Sequence, residues 1–365
     1  MTNPRVEFWR AGGPPSFTPV EAARRIEAEG WDGQMFMDSQ SLGADPYVMM
    51  GAWAVVTERL KLSTGVTNPL TRHPVVTAAS AATLQAISGG RAVLGIGRGD
   101  SALGFLGLAP VALGAFRRTL QDLQALLGGR EIAFGSGETP VDAPSLDTLS
   151  LGDRPATSRL QWLPEGLPKV PLDVAATGPK VIETSAVIAE RVTFSVGAIP
   201  ERISWAIDIA RAARREKGLS DRDSSYGAQI VVVCHPDIEA VRQAATSFVA
   251  PLARFQVIQG HAAGPKEGSD EANFAELRRA YDMTRHGRVS SDEKLKGESL
   301  TPDFVDRFAI IGPPDRCIER LLQLTRLGID RFVVVGPGFH PEATPDGHSL
   351  FAREVMPAVR AEAAR

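Results

Sequence analysis

Apolar runs of four to seven residues alternate with helix-compatible stretches along most of this chain, and glycine and polar residues gather where each run stops. The clearest case is Leu60 to Ser101, LKLSTGVTNPLTRHPVVTAASAATLQAISGGRAVLGIGRGDS. Leu60, Leu62 and Val66 read as a short apolar strand, with Thr64-Gly65-Val66-Thr67-Asn68-Pro69 as the loop at its C-terminal end. Val75 to Ile87 is alanine-rich and reads as helix, closed by Ser88-Gly89-Gly90 as a glycine stop. Val93-Leu94-Gly95-Ile96 is a second buried-type strand and runs into Gly97-Arg98-Gly99-Asp100-Ser101. Parallel α/β folds present their chemistry at such strand ends. The segment therefore predicts an enzyme, with part of a cofactor site in these two loops.

The same rhythm extends outward. Val6 to Trp9, Gln34 to Asp38, Pro171 to Ala176, Val192 to Val196, Ile230 to Cys234 and Phe332 to Val335 read as further strands. Helices are expected over Pro19–Glu29, Pro46–Thr57, Pro200–Lys217 and Phe351–Ala363, and Phe116, Leu120, Leu123 and Leu127 fall at helical spacing. Glu29-Gly30-Trp31-Asp32-Gly33, Ser88-Gly89-Gly90-Arg91 and Leu327-Gly328-Ile329-Asp330 each read as helix stop, polar turn and buried strand. About eight such units fit an α/β (β/α)8 TIM-type barrel of ~250 residues with insertions. A doubly wound sheet is the alternative; against it, the first βα turn, Trp9 to Ser16, is WRAGGPPS and lacks GxGxxG. Two stretches break the rhythm, at about 135–170 and 256–301. Both are expected to be insertions on one barrel domain spanning 1–365, the first with a short hairpin, the second around a helix over Ala272–Met283.

Charge and composition exclude other classes. A net charge of -3, with 40 basic and 43 acidic residues and no basic run, argues against nucleic-acid binding. No stretch is apolar enough to be a signal peptide or a membrane span, so a soluble cytoplasmic protein without membrane partners is expected. Cys234 and Cys317 read as buried small hydrophobes, since no CxxC spacing is present. The six histidines share no metal-ligand spacing, so no metal is expected, and no GxSxG points to a serine hydrolase.

With TGVTNPLTRHP, GIGRGDSALGFLG and Asp38-Ser39-Gln40 on the page, the chain resembles the bacterial luciferase-like superfamily. Within it, the chain is most similar to the methylenetetrahydromethanopterin reductase-like branch, whose members use the deazaflavin coenzyme F-420. The match extends from Phe36-Met37-Asp38-Ser39-Gln40 through Ala175-Ala176-Thr177-Gly178-Pro179-Lys180 to Ile310-Ile311-Gly312-Pro313-Pro314. The resemblance implies an F-420-dependent oxidoreductase acting on a small organic molecule, commonly as a homodimer, with the ring in the C-terminal mouth of the barrel. FMN-using monooxygenases share the barrel, so FMN is the alternative cofactor; a flavin-binding protein without turnover is a third reading.

The resemblance also implies a non-prolyl cis peptide at Gly65-Val66, propping the ring from behind. Asp38 is then an active-site acid near the reactive carbon, which its place at a strand end favours over its other reading as an N-cap. Asp100 stands where some relatives carry a proton-handling glutamate, and helix capping is its other reading. Ser39 with Gln40, and Thr67 with Asn68, can hydrogen-bond a ring edge. Gly95, Gly97, Gly99 and Ser101 let backbone approach a ligand closely, and exposed N–H groups there can cradle a phosphate. Thr177, Gly178, Pro179 and Lys180 open a helix whose free N–H groups suit an anionic tail, with Val196, Gly197 and Ala198 expected to flank it. His73 reads as structural, and Trp9 as either pocket wall or core.

Overall fold

The computed structural model describes residues 6–11, 20–134, 144–258, 260–286, 300–336 and 350–365. Eight parallel strands form its centre: β1 (Glu7–Ala11), β2 (Gly33–Phe36), β3 (Lys61–Thr64), β4 (Ala92–Ile96), β5 (Leu172–Ala176), β6 (Arg191–Phe194), β7 (Ser225–Cys234) and β8 (Arg331–Val335). Each pairs with the next in chain order, β1 also pairs with β8, and the β6–β7 and β7–β8 ladders close the ring. The chain thus forms a closed (β/α)8 barrel, not the doubly wound alternative.

The expected glycine stops are present. Gly30, Gly89, Gly90 and Gly328 all take positive φ, and Gly328 is the left-handed residue ending the helix Pro314–Leu327. Outside the ring, one large apolar core packs helices onto strands; Phe8 of β1 stacks on Phe332 of β8 at 5.6 Å and meets Phe351 edge-on. The last helical stretch is π-helical over Phe351–Val355 and α-helical over Met356–Ala363. Among the described residues no helix is long and apolar enough to cross a membrane.

Two chain segments depart from plain βα units. Ile132–Ala133 and Thr157–Ser158 form a two-residue antiparallel pair between β4 and β5; the adjoining 135–143 lie outside the described residues. The larger departure follows β7. Helices Ile238–Arg254, Asp270–Ala280 and Pro302–Phe308 precede the short strand Ile310–Gly312, which pairs with the far end of β7. They bury Val231, Val233, Val249, Phe274, Phe304 and Phe308 in a core of their own. Residues 287–299 of this region lie outside the described residues.

Inside the barrel, the upper filling is apolar and the lower filling is ionic. Trp9, Ala11, Met35, Val93 and Val333 form the apolar layer. Below it, Glu7 pairs with Lys61 and, at 2.8 Å, with Arg191; Asp173 receives Arg331 at 3.1 Å and Thr193 Oγ1 at 2.8 Å. Arg331 is fully buried, donates to Ser225 Oγ and Thr193 Oγ1, and is thereby held from three strands. Trp9 joins the layers, its Nε1 donating to Glu7 at 2.8 Å and its ring lying under the Arg191 guanidinium.

Burial opposes the charge on Glu7, but Arg191 and Lys61 outweigh it and hold the carboxyl down to about 2. A folded-state value below the unfolded one makes this a stabilising charge above about pH 4.5, lost as pH falls toward about 2. The shift corresponds to roughly 3 kcal/mol. Glu7→Gln should cost about 3 kcal/mol near neutrality, because it leaves the mostly buried Arg191 and the partly exposed Lys61 without their carboxylate. Denaturant unfolding of both proteins over descending pH should show the gap narrow across that window. A gap that does not change with pH would contradict the assignment.

Candidate active site

A cavity of about 480 Å³ opens at the C-terminal ends of the strands, within the size range of small-molecule sites. Its walls come from the ends of β2 to β5, from Thr193, Ser195 and Gln229 inside the barrel, and from Pro251 to Ile258 after β7. Asp38, Gly65, Val66, Asn68, Gly97, Gly99, Asp100, Ser101, Thr177, Gly178 and Pro179 all line it.

The β3 loop is shaped by its fit to neighbouring strands. Gly65 donates to Phe36 O at 2.6 Å, and a Cβ on Gly65 would stand 2.6 Å from Cβ of Met35, so no larger residue fits. The Gly65-Val66 peptide is cis. Thr67 then rejoins the sheet: its N–H reaches Gly95 O and its carbonyl accepts from Gly97, both at 2.9 Å. Val66 is left on the cavity wall between two fixed points.

The two acidic candidates are held by arginines, and neither caps a helix. Asp38, 4% exposed, is 2.5 Å from Arg72, whose other nitrogen reaches Asp45 at 2.6 Å. Asp45 caps the helix Pro46–Ala54, accepting from Tyr47 and Val48 N–H. Burial disfavours the Arg72 cation, but hydrogen bonds and charge from Asp38 and Asp45 overcome this and raise its pKa above the usual arginine value. Asp100 makes no side-chain cap and pairs with Arg254 at 2.6 Å, which lies over the Tyr281 ring. That pair joins the β4 loop to the helix Ile238–Arg254.

Other expected ligand groups are committed elsewhere. Ser39 is off the cavity wall and donates to Ser101 Oγ at 3.1 Å; Gln40 donates to Ala102 O at 2.8 Å, so the two tie the β2 and β4 loops together. The Asn68 carbonyl oxygen accepts from Leu70 and Thr71 N–H at 3.0 Å and its amide nitrogen donates to Thr71 Oγ1, so this side chain builds its own turn. Thr67 is fully buried in the ladder and Lys180 is exposed, and neither lines the cavity.

Val196, Gly197 and Ala198 are a clear correction. All three are buried behind the wall, and Ala198 N–H donates to Phe308 O at 2.8 Å. A Cβ on Gly197, at φ +83, would meet the Phe308 ring at 2.7 Å. These residues seat the segment after β7 and do not line the cavity.

Sequence reading missed several residues of the site, on the cavity wall and off it. Arg72 and Arg254 lie 34 and 154 residues from the carboxylates they hold, so local spacing carries no signal for them. Arg98 lines the cavity with Nε on Val111 O at 2.6 Å; burial lowers its pKa, and among the described residues no carboxylate pairs with it. Ser195 Oγ donates to Gln229 Oε1 at 2.6 Å deep in the barrel. His286, taken from sequence as one of five scattered histidines, lines the wall with Nδ1 2.7 Å from Tyr281 OH.

Comparison with known proteins agrees with this geometry. Residues 11–331 match the family model described as luciferase-like monooxygenase. A 5,10-methylenetetrahydromethanopterin reductase of Methanolobus tindarius is 26% identical over 327 residues, covering 86% of this chain and 89% of the relative. Among solved structures, a coenzyme F420 dependent tetrahydromethanopterin reductase from Methanopyrus kandleri superposes with a TM-score of 0.69 at 22% identity, covering 97% of this chain and 99% of that one. An F420-dependent secondary alcohol dehydrogenase in complex with an F420-acetone adduct gives a TM-score of 0.72 at 18% identity, over 97% and 99%. The chain belongs to the luciferase-like monooxygenase family of oxidoreductases.

Gly197→Ala separates the wall from its backing. It should destabilise the protein by about 1–3 kcal/mol through overpacking against Phe308, measured by denaturant unfolding. Ligand affinity of the folded variant should stay within about threefold of the parent; a larger loss would return residues 196–198 to the binding surface.

Proposed function

We propose that this protein transfers a hydride between deazaflavin coenzyme F-420 and an organic substrate. The observation that carries the proposal is Arg98, which no carboxylate pairs among the described residues, in a cavity that Gly178 and Pro179 also line. Gly178 is the N-cap of the helix Pro179–Ile188 and brings no side chain to that helix end. Pro179 has no N–H and Val181 N–H bonds Gly178 O at 3.1 Å, which leaves the Lys180 N–H and the positive end of the helix for an anion. A half-buried cation without a carboxylate among the described residues and a helix N-terminus without a side-chain cap, both on one cavity, suit a phosphorylated cofactor. Relatives named as F420-dependent, including a glucose-6-phosphate dehydrogenase of Microbacterium testaceum at 26% identity, favour the deazaflavin over FMN.

A bound deazaflavin would supply a carbon that takes or gives a hydride and that reacts poorly with oxygen. The chain's contribution is placement. Val66 would bear on one face of the ring, and the Gly97–Ser101 loop and Thr177–Pro179 would hold the tail. Asp38, fixed by Arg72, offers an acceptor of set position and a site that can hold a proton. Its fixed place on the wall suits base or orienting work.

Asp38→Asn should lower turnover by ~10²-fold or more while cofactor affinity changes little. Near-normal turnover in the variant would remove Asp38 from the chemistry. The competing reading, an FMN monooxygenase, is separated by oxygen: product formation under anaerobic conditions with reduced F-420 is expected, whereas obligatory oxygen uptake with reduced FMN would overturn the proposal.

A further inference from the structure

The substrate side of the cavity has a chemistry of its own. Resting on the cofactor reading above, we infer that the substrate is an uncharged, largely apolar molecule that enters over the loop between Ala102 and Pro110. The wall facing that loop is Pro251, Leu252, Phe255 and Ile258, from the end of the helix Ile238–Arg254 and the turn after it. These residues offer no charge and no side-chain hydrogen bond, so they reward burial of hydrocarbon.

The carboxylates on the described wall are each paired with an arginine. Asp38 is held by Arg72, Asp100 by Arg254 and Asp173 by Arg331. Arg98 is the cation the cofactor's phosphate would take. With that phosphate in place, no lysine or arginine among the described wall residues remains to recognise a phosphate or carboxylate on the substrate.

The rim carries the second observation. Phe105, Leu106 and Leu108 are 38%, 53% and 49% exposed, a contiguous apolar edge in a loop whose two ends line the cavity. The loop is well held: Leu103 beneath it is fully buried, Leu108 N–H reaches Leu103 O, and Val111 N–H reaches Arg98 O, both at 2.9 Å. Its apolar side chains stand in water although its backbone is fixed. Patches of this kind mark binding surfaces, and this one is continuous with an apolar wall. A chain-bearing molecule could lie along it with its reactive end inside.

The test uses straight-chain alcohols and methyl ketones of increasing length, with carboxylates and alkyl phosphates of matched length as controls. Each is titrated by calorimetry into the F-420-loaded protein and, separately, into the cofactor-free protein. Affinity of the neutral series should rise about fourfold per methylene while the chain is being buried, and the anionic analogues should bind at least ~10-fold more weakly. Leu106→Ser/Leu108→Ser, at exposed positions outside the cavity wall, should flatten the chain-length dependence and leave F-420 affinity unchanged. Equal or tighter binding of the anions, or no dependence on length, would overturn the inference. So would a double variant that changes only the oligomeric state, since the rim would then be covered by a second copy. F-420 affinity is read independently, so failure of the cofactor reading would show as absent loading and not as a changed ligand series.

Discussion

A ring of eight parallel strands encloses an axis that must be filled, and here its lower half is filled by charge. Glu7, Lys61, Arg191, Asp173 and Arg331 come from five different strands and pair with one another below Trp9. Removing such groups from water is costly and is balanced only when each partner stays in place. The network therefore ties together strands far apart in the chain, and it sets the depth at which the cavity stops. Asp173 and Thr193 belong both to the ionic plug and to the cavity floor.

The same device recurs at the mouth. Each carboxylate facing the cavity is gripped by an arginine from another segment: Asp38 by the β3 loop, Asp100 by the helix after β7. A carboxylate so placed has a fixed orientation before any ligand arrives, which is what a site that must position a ring and a reacting atom requires. The Asp100–Arg254 pair also couples the strand-end loops to the segment that walls the substrate side. On the proposed reading, cofactor and substrate surfaces are built by different parts of the chain and joined by a half-buried ion pair.

Much of the barrel was legible because buried parallel strands read as apolar runs and their helices end on glycine. β7 shows where that signal fails. Ile230–Cys234 is apolar and readable, but the strand begins at Ser225, and Ser225, Gly227 and Gln229 alternate polar and small because they face the ionic interior. The loop glycines at 65, 97 and 99 were readable as wall because close approach or a positive φ leaves few alternatives to glycine. The bonding of Asn68 and Ser39 was not, since a short polar side chain serves a local turn or a neighbouring loop as readily as a ligand. The arginines that hold Asp38 and Asp100 were invisible for the same reason that Val196–Ala198 misled: contact between distant segments leaves no trace in local spacing.

The central claim is that the mouth of this barrel is built for a deazaflavin. Paired fluorescence titrations of the purified cofactor-free protein with F-420 and with FMN test it most directly. The account predicts micromolar or tighter F-420 binding with FMN at least ~100-fold weaker, a difference of about 2.7 kcal/mol. Tighter binding of FMN than of F-420 would contradict it.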